Sequence, residues 1–450
     1  MATFFSAKRL RLQSARTQRQ IVFLLGGVVV GAAAVVLAML ADDAQRLFQV
    51  VIHRWRYASL LVTPFGIGIS AWLTRRVFPN SQGSGIPQAI AARQLQSQRA
   101  RGSLVSIRIA IGKILLTLFG LLCGASIGRE GPTVQVGASI MFAIGRLSPR
   151  RQAGLILAGA SAGIAAAFNT PMAVSRAFDV TSSGLLLGGI IAAGLTSLAL
   201  LGDYTYFGTT SATLHSASAW LAVPVCGVIG GLLGGVFSRI LIEVGAGLPG
   251  AIGRAINRHP ILFAVACALG TAFCGLASGD TIYGTGYGQV KALLDHGVPL
   301  PQSFGLLKMA ATTLASISGI PGGIFSPSLA VGAGIGFNLS TLFPGAPVEA
   351  LVLLGMVAYF AGVVQAPITA FVIVTEMTND HAMVVPLMAA AFIGYGASRL
   401  VCHEGVYHAL SKNFLAAART LELSSPTPGR KTAPAGERTG APPPPANLVG

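Results

Sequence analysis

Three short clusters of glycine and proline carry the residues best suited to hold an anion. They are Gly83-Ser84-Gly85-Ile86-Pro87, Gly128-Arg129-Glu130-Gly131-Pro132 and Gly322-Gly323-Ile324-Phe325-Ser326-Pro327. Each reads as a loop that opens a helix: the glycines free the backbone, and proline sits at or near the first helical turn. A helix start presents N–H groups without intrahelical acceptors and about half a positive charge. Several such starts converging inside a membrane would replace the water shell of an anion. No buried Lys or Arg would be needed, and a full cation would hold the ion too tightly to release it. Taken singly, each cluster also fits an ordinary kink or tight packing site. Three together, two of them at equivalent points of an internal repeat, favour a shared anion site.

Glu130 is the sharpest single residue. Only 14 acidic residues occur in the chain, and few fall within its apolar body. A carboxylate at a helix start can be a simple dipole partner. It can also act as a tethered anion, filling an ion's place when charged and swinging away when protonated. Two other ionisable residues in apolar runs read differently. Glu376, nine residues after Pro367, reads as a structural carboxylate at a helix end, with proton carriage as the alternative. Lys113, at mid-span, needs a partner and reads as structural or as tuning the field near the anion path.

The elements that must position these residues are membrane helices. Of 450 residues, 10% are charged and 53% hydrophobic, against about 25% charged in a soluble chain. Mean hydropathy is +0.69. Thirteen apolar runs recur between residues 21 and 402, with room for ten to a dozen spans, although several runs are shorter than a full span. Gly (57) and Pro (24) interrupt many of them. Broken helices in a membrane are tolerated only inside protein or along a watery cavity. The run from Ile21 to Ala41 is too long for a signal-peptide core and reads as a retained span.

The net charge of +17 lies between the apolar runs. Lys8, Arg9, Arg11, Arg16 and Arg19 precede the first run; Arg146, Arg150 and Arg151 form another cluster; Arg430, Lys431 and Arg438 lie in the C-terminal segment. Segments 202–218 and 343–350 carry no Lys or Arg. The positive-inside rule then predicts both termini in the cytoplasm and excludes nucleic acid as the reason for the charge. The five cysteines sit in or at the end of apolar runs and read as small core residues. Gly159-Ala160-Ser161-Ala162-Gly163 and Gly124-Ala125-Ser126-Ile127-Gly128 match a nucleophile-elbow pattern, but neither follows a strand. Small-residue helix packing explains both. No catalytic residue, metal set or cofactor motif is expected.

An internal repeat organises the runs. Lys113 precedes Pro132 by 19 residues and Val136-Gly137-Ala138 follows; Lys308 precedes Pro327 by 19 and Val331-Gly332-Ala333 follows. Gly159 lies 12 before Pro171, and Gly355 lies 12 before Pro367. Interrupted helices at corresponding places point to a binding site at the repeat interface near the midplane. Spacing alone does not give the relative orientation of the repeats.

The motifs resemble those of the CLC family of chloride channels and proton-coupled chloride transporters, and the resemblance covers nearly all of residues 21–415. It implies a homodimer with one anion pathway per subunit and motif helices aimed at bound chloride. By matching position, the Ser84 hydroxyl and the N–H groups of Ile324 and Phe325 contact the central ion, and Tyr407 completes the inner gate. From the residues alone Tyr407 reads as an interfacial aromatic; the positional match reverses that reading. The resemblance gives Glu130 the gating role.

The chain departs from the family pattern after Pro171. There the family has an apolar helix ending in two Glu residues, one of them the internal proton-transfer site of its antiporters. Here the sequence runs Met172-Ala173-Val174-Ser175-Arg176-Ala177-Phe178-Asp179. Aligned without a gap, Val180 and Thr181 replace the acidic pair. Aligned with a gap after Ala173, about eight apolar residues are missing, and Arg176 and Asp179 are spared the membrane. The gapped alignment is preferred, and the acidic pair is absent either way.

The resulting expectation is an all-α polytopic membrane protein with two repeated halves, taken as inverted, of short, tilted, partly broken helices. Residues 1–20 form a basic cytoplasmic segment and 21–415 the membrane domain, with halves at about 21–201 and 219–415. Residues 416–450 form a Pro/Gly-rich tail read as disordered. No CBS domain is expected. The expected activity is Glu130-gated chloride transport in a bacterial inner membrane, channel-like or weakly proton-coupled. Antiport by another proton path, a poorly conducting variant with a shortened helix, and a fluoride-selective relative are the alternatives. Expected partners are chloride and possible other small anions, protons, membrane lipid and a second copy of the chain.

Overall fold

The structure is a computed structural model; it describes residues 2–145, 152–168, 184–202 and 206–423. Nineteen helices form among the described residues and no strand does. In chain order they are α1 (Ala2–Arg54), α2 (Ser59–Arg76), α3 (Ile86–Gln94), α4 (Gln98–Gly102), α5 (Ile107–Leu122), α6 (Glu130–Gly145), α7 (Gln152–Phe168) and α8 (Gly184–Leu201). There follow α9 (Ala217–Trp220), α10 (Ala222–Ala246), α11 (Gly250–Arg258), α12 (Pro260–Ala277), α13 (Tyr287–His296), α14 (Phe304–Ile317) and α15 (Phe325–Ser340). The last four are α16 (Val348–Val364), α17 (Pro367–Thr378), α18 (Val384–Val401) and α19 (Val406–Leu423).

The all-α expectation holds. Among the described residues, five segments are long and apolar enough to cross a membrane: Gln20–Arg54, Gln98–Leu122, Ala217–Ala246, Pro260–Ala277 and Val384–Val401. Other apolar runs form shorter helices of 10–17 residues, such as Phe304–Ile317 and Pro367–Thr378. Their ends are fixed by local chemistry. Ser106 accepts from the Ile109 N–H and starts α5. Pro260 and Pro367 occupy first-turn positions of α12 and α17, where a missing N–H costs nothing. Gln365 and Asn379 adopt left-handed conformations that end α16 and α17.

The repeat appears as the same helix crossing built twice. In the first half α6 packs against α7, and a Cβ on Gly137 or Gly159 would strike the other's carbonyl oxygen. In the second half α15 packs against α16, with Gly332 and Gly355 in the same relation. These are the four glycines at matched spacing in the sequence. Backbone approach this close gives dispersion and Cα–H contacts that larger residues would prevent. α16 forms the centre of the molecule, with residues 350–363 all buried, and packs on α10 and α18 as well.

The boundaries placed at residues 20 and 415 fall inside helices. α1 runs unbroken from Ala2 to Arg54, with no proline to stop it. α19 continues to Leu423 and packs along α3 and α4. Near its end, Glu422 accepts hydrogen bonds from the backbone N–H groups of Gln96 and Ser97. The basic cluster Arg146, Arg150 and Arg151, the segment after Pro171, and the tail beyond Leu423 lie outside the described residues. So does the proposed shortened helix with its missing acidic pair.

Candidate functional site

The three motif loops meet and are tied together through their backbones. Gly128 and Gly323 exchange N–H···O bonds in both directions, at 2.6 and 2.7 Å. These two residues are equivalent in the repeat, each lying four before the motif proline. Reciprocal bonds between equivalent residues are what a two-fold axis between them produces, so the halves are related by a pseudo-two-fold passing beside the site. The Gly83 N–H donates to the Ile320 carbonyl at 2.9 Å, and the Gly322 N–H donates to the Gly83 carbonyl at 3.0 Å. Three helix starts, those of α3, α6 and α15, are thereby drawn to one point.

The glycines permit that convergence. Gly85 caps α3 with φ +96°, a left-handed conformation. A Cβ on Gly131 would collide with Ser84 and lie 3.1 Å from the Gly323 Cα. Two buried lysines brace the loops from behind. The Lys113 ammonium donates to the carbonyls of Ser81 (2.6 Å) and Gly83 (2.7 Å). The Lys308 ammonium donates to those of Ile282 (2.7 Å) and Gly284 (2.6 Å). Lys113 therefore has the structural partners its mid-span position demands. With three donors each, both lysines are held by carbonyl oxygens that a turning backbone leaves open.

Lys308 exposes a feature that spacing had hidden. Gly284-Thr285-Gly286-Tyr287-Gly288-Gln289 is the second-half counterpart of Gly83-Ser84-Gly85-Ile86-Pro87-Gln88. Gly286 caps α13 with φ +79°, as Gly85 caps α3. The two loops precede their lysines by 24 and 30 residues respectively, so a search for equal intervals misses the pair.

On one side of the junction lies a cavity of about 420 Å³ lined by Ser84, Pro87, Ile324 and Tyr407, among others. The Ser84 and Tyr407 hydroxyls are buried close to one another, and apart from each other neither has a hydrogen-bond partner among the described residues. Buried hydroxyls normally find partners, so a pair left open beside a helix start is a place for an acceptor from outside the chain. The first-turn N–H groups of α15, at Phe325 and its neighbours, have no intrahelical acceptor. The Phe325 ring packs on Phe168 and Phe360, with centroids 4.3 and 4.1 Å apart.

Glu130 begins α6 and is 1% exposed. One carboxylate oxygen accepts a hydrogen bond from the Tyr206 hydroxyl at 2.9 Å. The other has no partner among the described residues. That free oxygen folds back towards Gly128, where a Cβ would lie 2.5 Å from it. Arg129 points elsewhere: its guanidinium pairs with Asp42 and donates to the Ala38 carbonyl of α1 at 2.6 Å. It anchors the motif to α1 and does not line the cavity. Tyr206, which holds one Glu130 carboxylate oxygen, was not legible in the sequence, since it lies in an irregular loop with no motif around it. Glu376 sits in α17.

The remaining patterns resolve as packing. Ser161 donates to the Leu157 carbonyl within α7, and Ser126 bonds Thr312. The cysteines are free.

A family model described as "Voltage gated chloride channel" matches residues 65–399. A Ralstonia nicotianae protein described as a putative chloride channel protein ClcB-like is 30% identical over 76% of this chain and 84% of its own. The H(+)/Cl(-) exchange transporter ClcA of Yersinia pseudotuberculosis is 27% identical over 87% of this chain and 86% of its own. Among solved structures, a slow cyanobacterial Cl-/H+ antiporter superposes with TM-score 0.72 at 23% identity, covering 88% of this chain and 98% of that one. A CLC-type fluoride/proton antiporter gives 0.73 at 21%, with the same coverage. With glycine-built loops drawn to one point and a family match across three quarters of its length, the chain belongs to the CLC, or voltage-gated chloride channel, family.

Proposed function

We propose that the chain carries chloride across a membrane through a path between its two halves, gated by Glu130. The carrying observation is a buried carboxylate with one open oxygen, set at the α6 start where three motif loops meet. Behind it lies a cavity with two unsatisfied hydroxyls, Ser84 and Tyr407. A negative ion in that cavity receives hydroxyl and N–H donors and the positive ends of helix dipoles, with no full countercharge to trap it. Charged, Glu130 occupies the next ion's place. Protonated, it leaves.

The absence of an acidic pair after Pro171 supports a channel-like or weakly coupled mode. A second reading, coupled chloride/proton exchange with protons moving over water or hydroxyl groups, draws support from the named exchange transporter among the relatives. The fluoride/proton antiporter fold keeps fluoride as an alternative ion. A poorly conducting variant is the remaining alternative. The reading puts the protein in a bacterial inner membrane as a homodimer with both termini cytoplasmic, in keeping with its basic N-terminal segment and with segments 202–218 and 343–350, which carry no Lys or Arg and would lie outside.

The test is chloride flux from liposomes with internal pH recorded together. A reversal potential that follows the chloride gradient alone identifies a channel. A coupled pH change identifies exchange. No flux of either ion contradicts the proposal, and flux of fluoride in preference to chloride reassigns the ion.

A further inference from the structure

Resting on the Glu130 gate, we propose that Tyr206 is a positioning residue that latches the charged carboxylate and sets the pH at which the pathway opens. Tyr206 is 1% exposed and is the only side chain seen to hydrogen-bond the Glu130 carboxylate among the described residues. A phenol has a single proton to donate, and an ionised carboxylate only accepts. The 2.9 Å contact therefore spends the Tyr206 proton on Glu130. The Ser326 hydroxyl, 3.3 Å from the Tyr206 oxygen, must then donate to it. Ser326 belongs to the first turn of α15, and Glu130 starts α6. The chain Ser326 to Tyr206 to Glu130 thus closes the gate by a bridge between the two halves. Linked donors of this kind strengthen one another in a dry site.

The phenol is held in place independently of that bridge. Its ring packs on Phe207, Tyr287 and Phe168, with centroids 5.0, 4.7 and 5.9 Å away. Ionisable groups face the latch from several elements: Lys291 lies 5.7 Å from the ring of Tyr287, which packs on Tyr206, and Glu376 precedes Met377, whose carbonyl accepts from the Phe207 N–H. The Arg129 guanidinium lies 6.0 Å from the Tyr206 ring centroid and is itself neutralised by Asp42. Tyr407 of α19 lies within electrostatic reach of Glu130 from the cavity side. Lys113 and Lys308 spend their protons on loop carbonyls. Asp295 and Asp380 face the Tyr206 loop further along, at Gly208 and Thr210.

A hydrogen bond given to the charged carboxylate favours that form, so removing it lets the gate take up a proton more readily. Chloride flux against pH is measured in liposomes for the parent, Tyr206→Phe, Ser326→Ala, Glu130→Gln and the double Tyr206→Phe/Glu130→Gln. Tyr206→Phe keeps the ring packing and is expected to move the midpoint of acid activation about one pH unit upward. Ser326→Ala moves it the same way by less, and reads the same bridge should Tyr206→Phe fold poorly. The double variant should match Glu130→Gln alone. An unmoved midpoint in both Tyr206→Phe and Ser326→Ala overturns the latch, as does a shift that persists in the Glu130→Gln background. Glu130→Gln by itself judges the gate: if it keeps the parent's pH profile, the gate fails and the latch has nothing to hold.

Discussion

The two halves of the molecule share a scaffold and differ in what they leave open. Each has a Gly-Ser/Thr-Gly loop braced by a buried lysine, a motif helix entered through glycine, and a glycine crossing behind it. At the first loop, the Ser84 hydroxyl is unpartnered. At the second, the Thr285 hydroxyl accepts from the Tyr287 N–H at 3.2 Å, and the Thr285 N–H donates to Gln45 at 3.2 Å. At the motif helices, Glu130 stands where the second half has Phe325, each two residues before its motif proline. One half supplies an ionisable carboxylate and an open hydroxyl. The other supplies a closed loop and an apolar ring. A symmetric scaffold brings helix ends together; the broken symmetry gives them different side chains.

The glycine crossings should give the largest effect. A Cβ at Gly137 or Gly332 meets backbone, which cannot turn aside as a side chain can. Gly137→Ala and Gly332→Ala should each cost about 3 kcal/mol, read as a lowered thermal midpoint in detergent. Gly154→Ala, on open space in α7, should leave the midpoint unchanged. Unequal losses at Gly137 and Gly332 would break the equivalence of the halves.

The lysines come next. Lys113→Met and Lys308→Met each leave buried carbonyls without donors and should cost about 2 kcal/mol. Only Lys113→Met should also weaken chloride binding, measured by titration calorimetry, because Lys113 fixes the carbonyl of Gly83 beside Ser84. A similar loss of affinity in Lys308→Met would mean that the second loop also faces the ion. Ser84→Ala should lower chloride affinity about tenfold, the worth of one hydrogen bond to an anion. Thr285→Val should leave affinity unchanged.

The smallest effect belongs to the surface near Tyr407. The Lys412 ammonium, 2.6 Å away, holds the exposed Glu404 carboxyl below its ordinary range. A depressed carboxyl stabilises the fold above its unfolded value and loses that contribution as pH falls through the folded one. Both groups are largely in water, so Glu404→Gln should change the thermal midpoint by no more than about 1 °C at neutral pH, and less in acid. A larger drop would mean that the α19 entry is held mainly by this pair.

The class, the repeat and the three motif loops were legible because each rests on local chemistry. Apolar runs give membrane helices, glycine before proline gives a helix start, and equal intervals from Lys113 and Lys308 to the motif prolines give equivalent positions. Gly284-Thr285-Gly286 escaped because an interval set by loop length differs between the halves, while its glycine spacing is the same. Tyr206 escaped for a different reason. Its role depends on where an irregular loop carries it, and nothing in Tyr206-Phe207-Gly208 specifies contact with a glutamate 76 residues earlier. Helix length was not legible, because an apolar run reports burial, and a short helix inside protein is as apolar as one crossing lipid.

The central claim is that helix starts from both halves form an anion site closed by the Glu130 carboxylate. Bromide anomalous scattering from crystals of the parent and Glu130→Gln proteins tests it most directly. The account predicts one bromide in both, bounded by Ser84, Tyr407 and the N–H groups of Ile324 and Phe325, and a second beside Gly128 only in Glu130→Gln. Crystals that soak in bromide but show none at either place would contradict it.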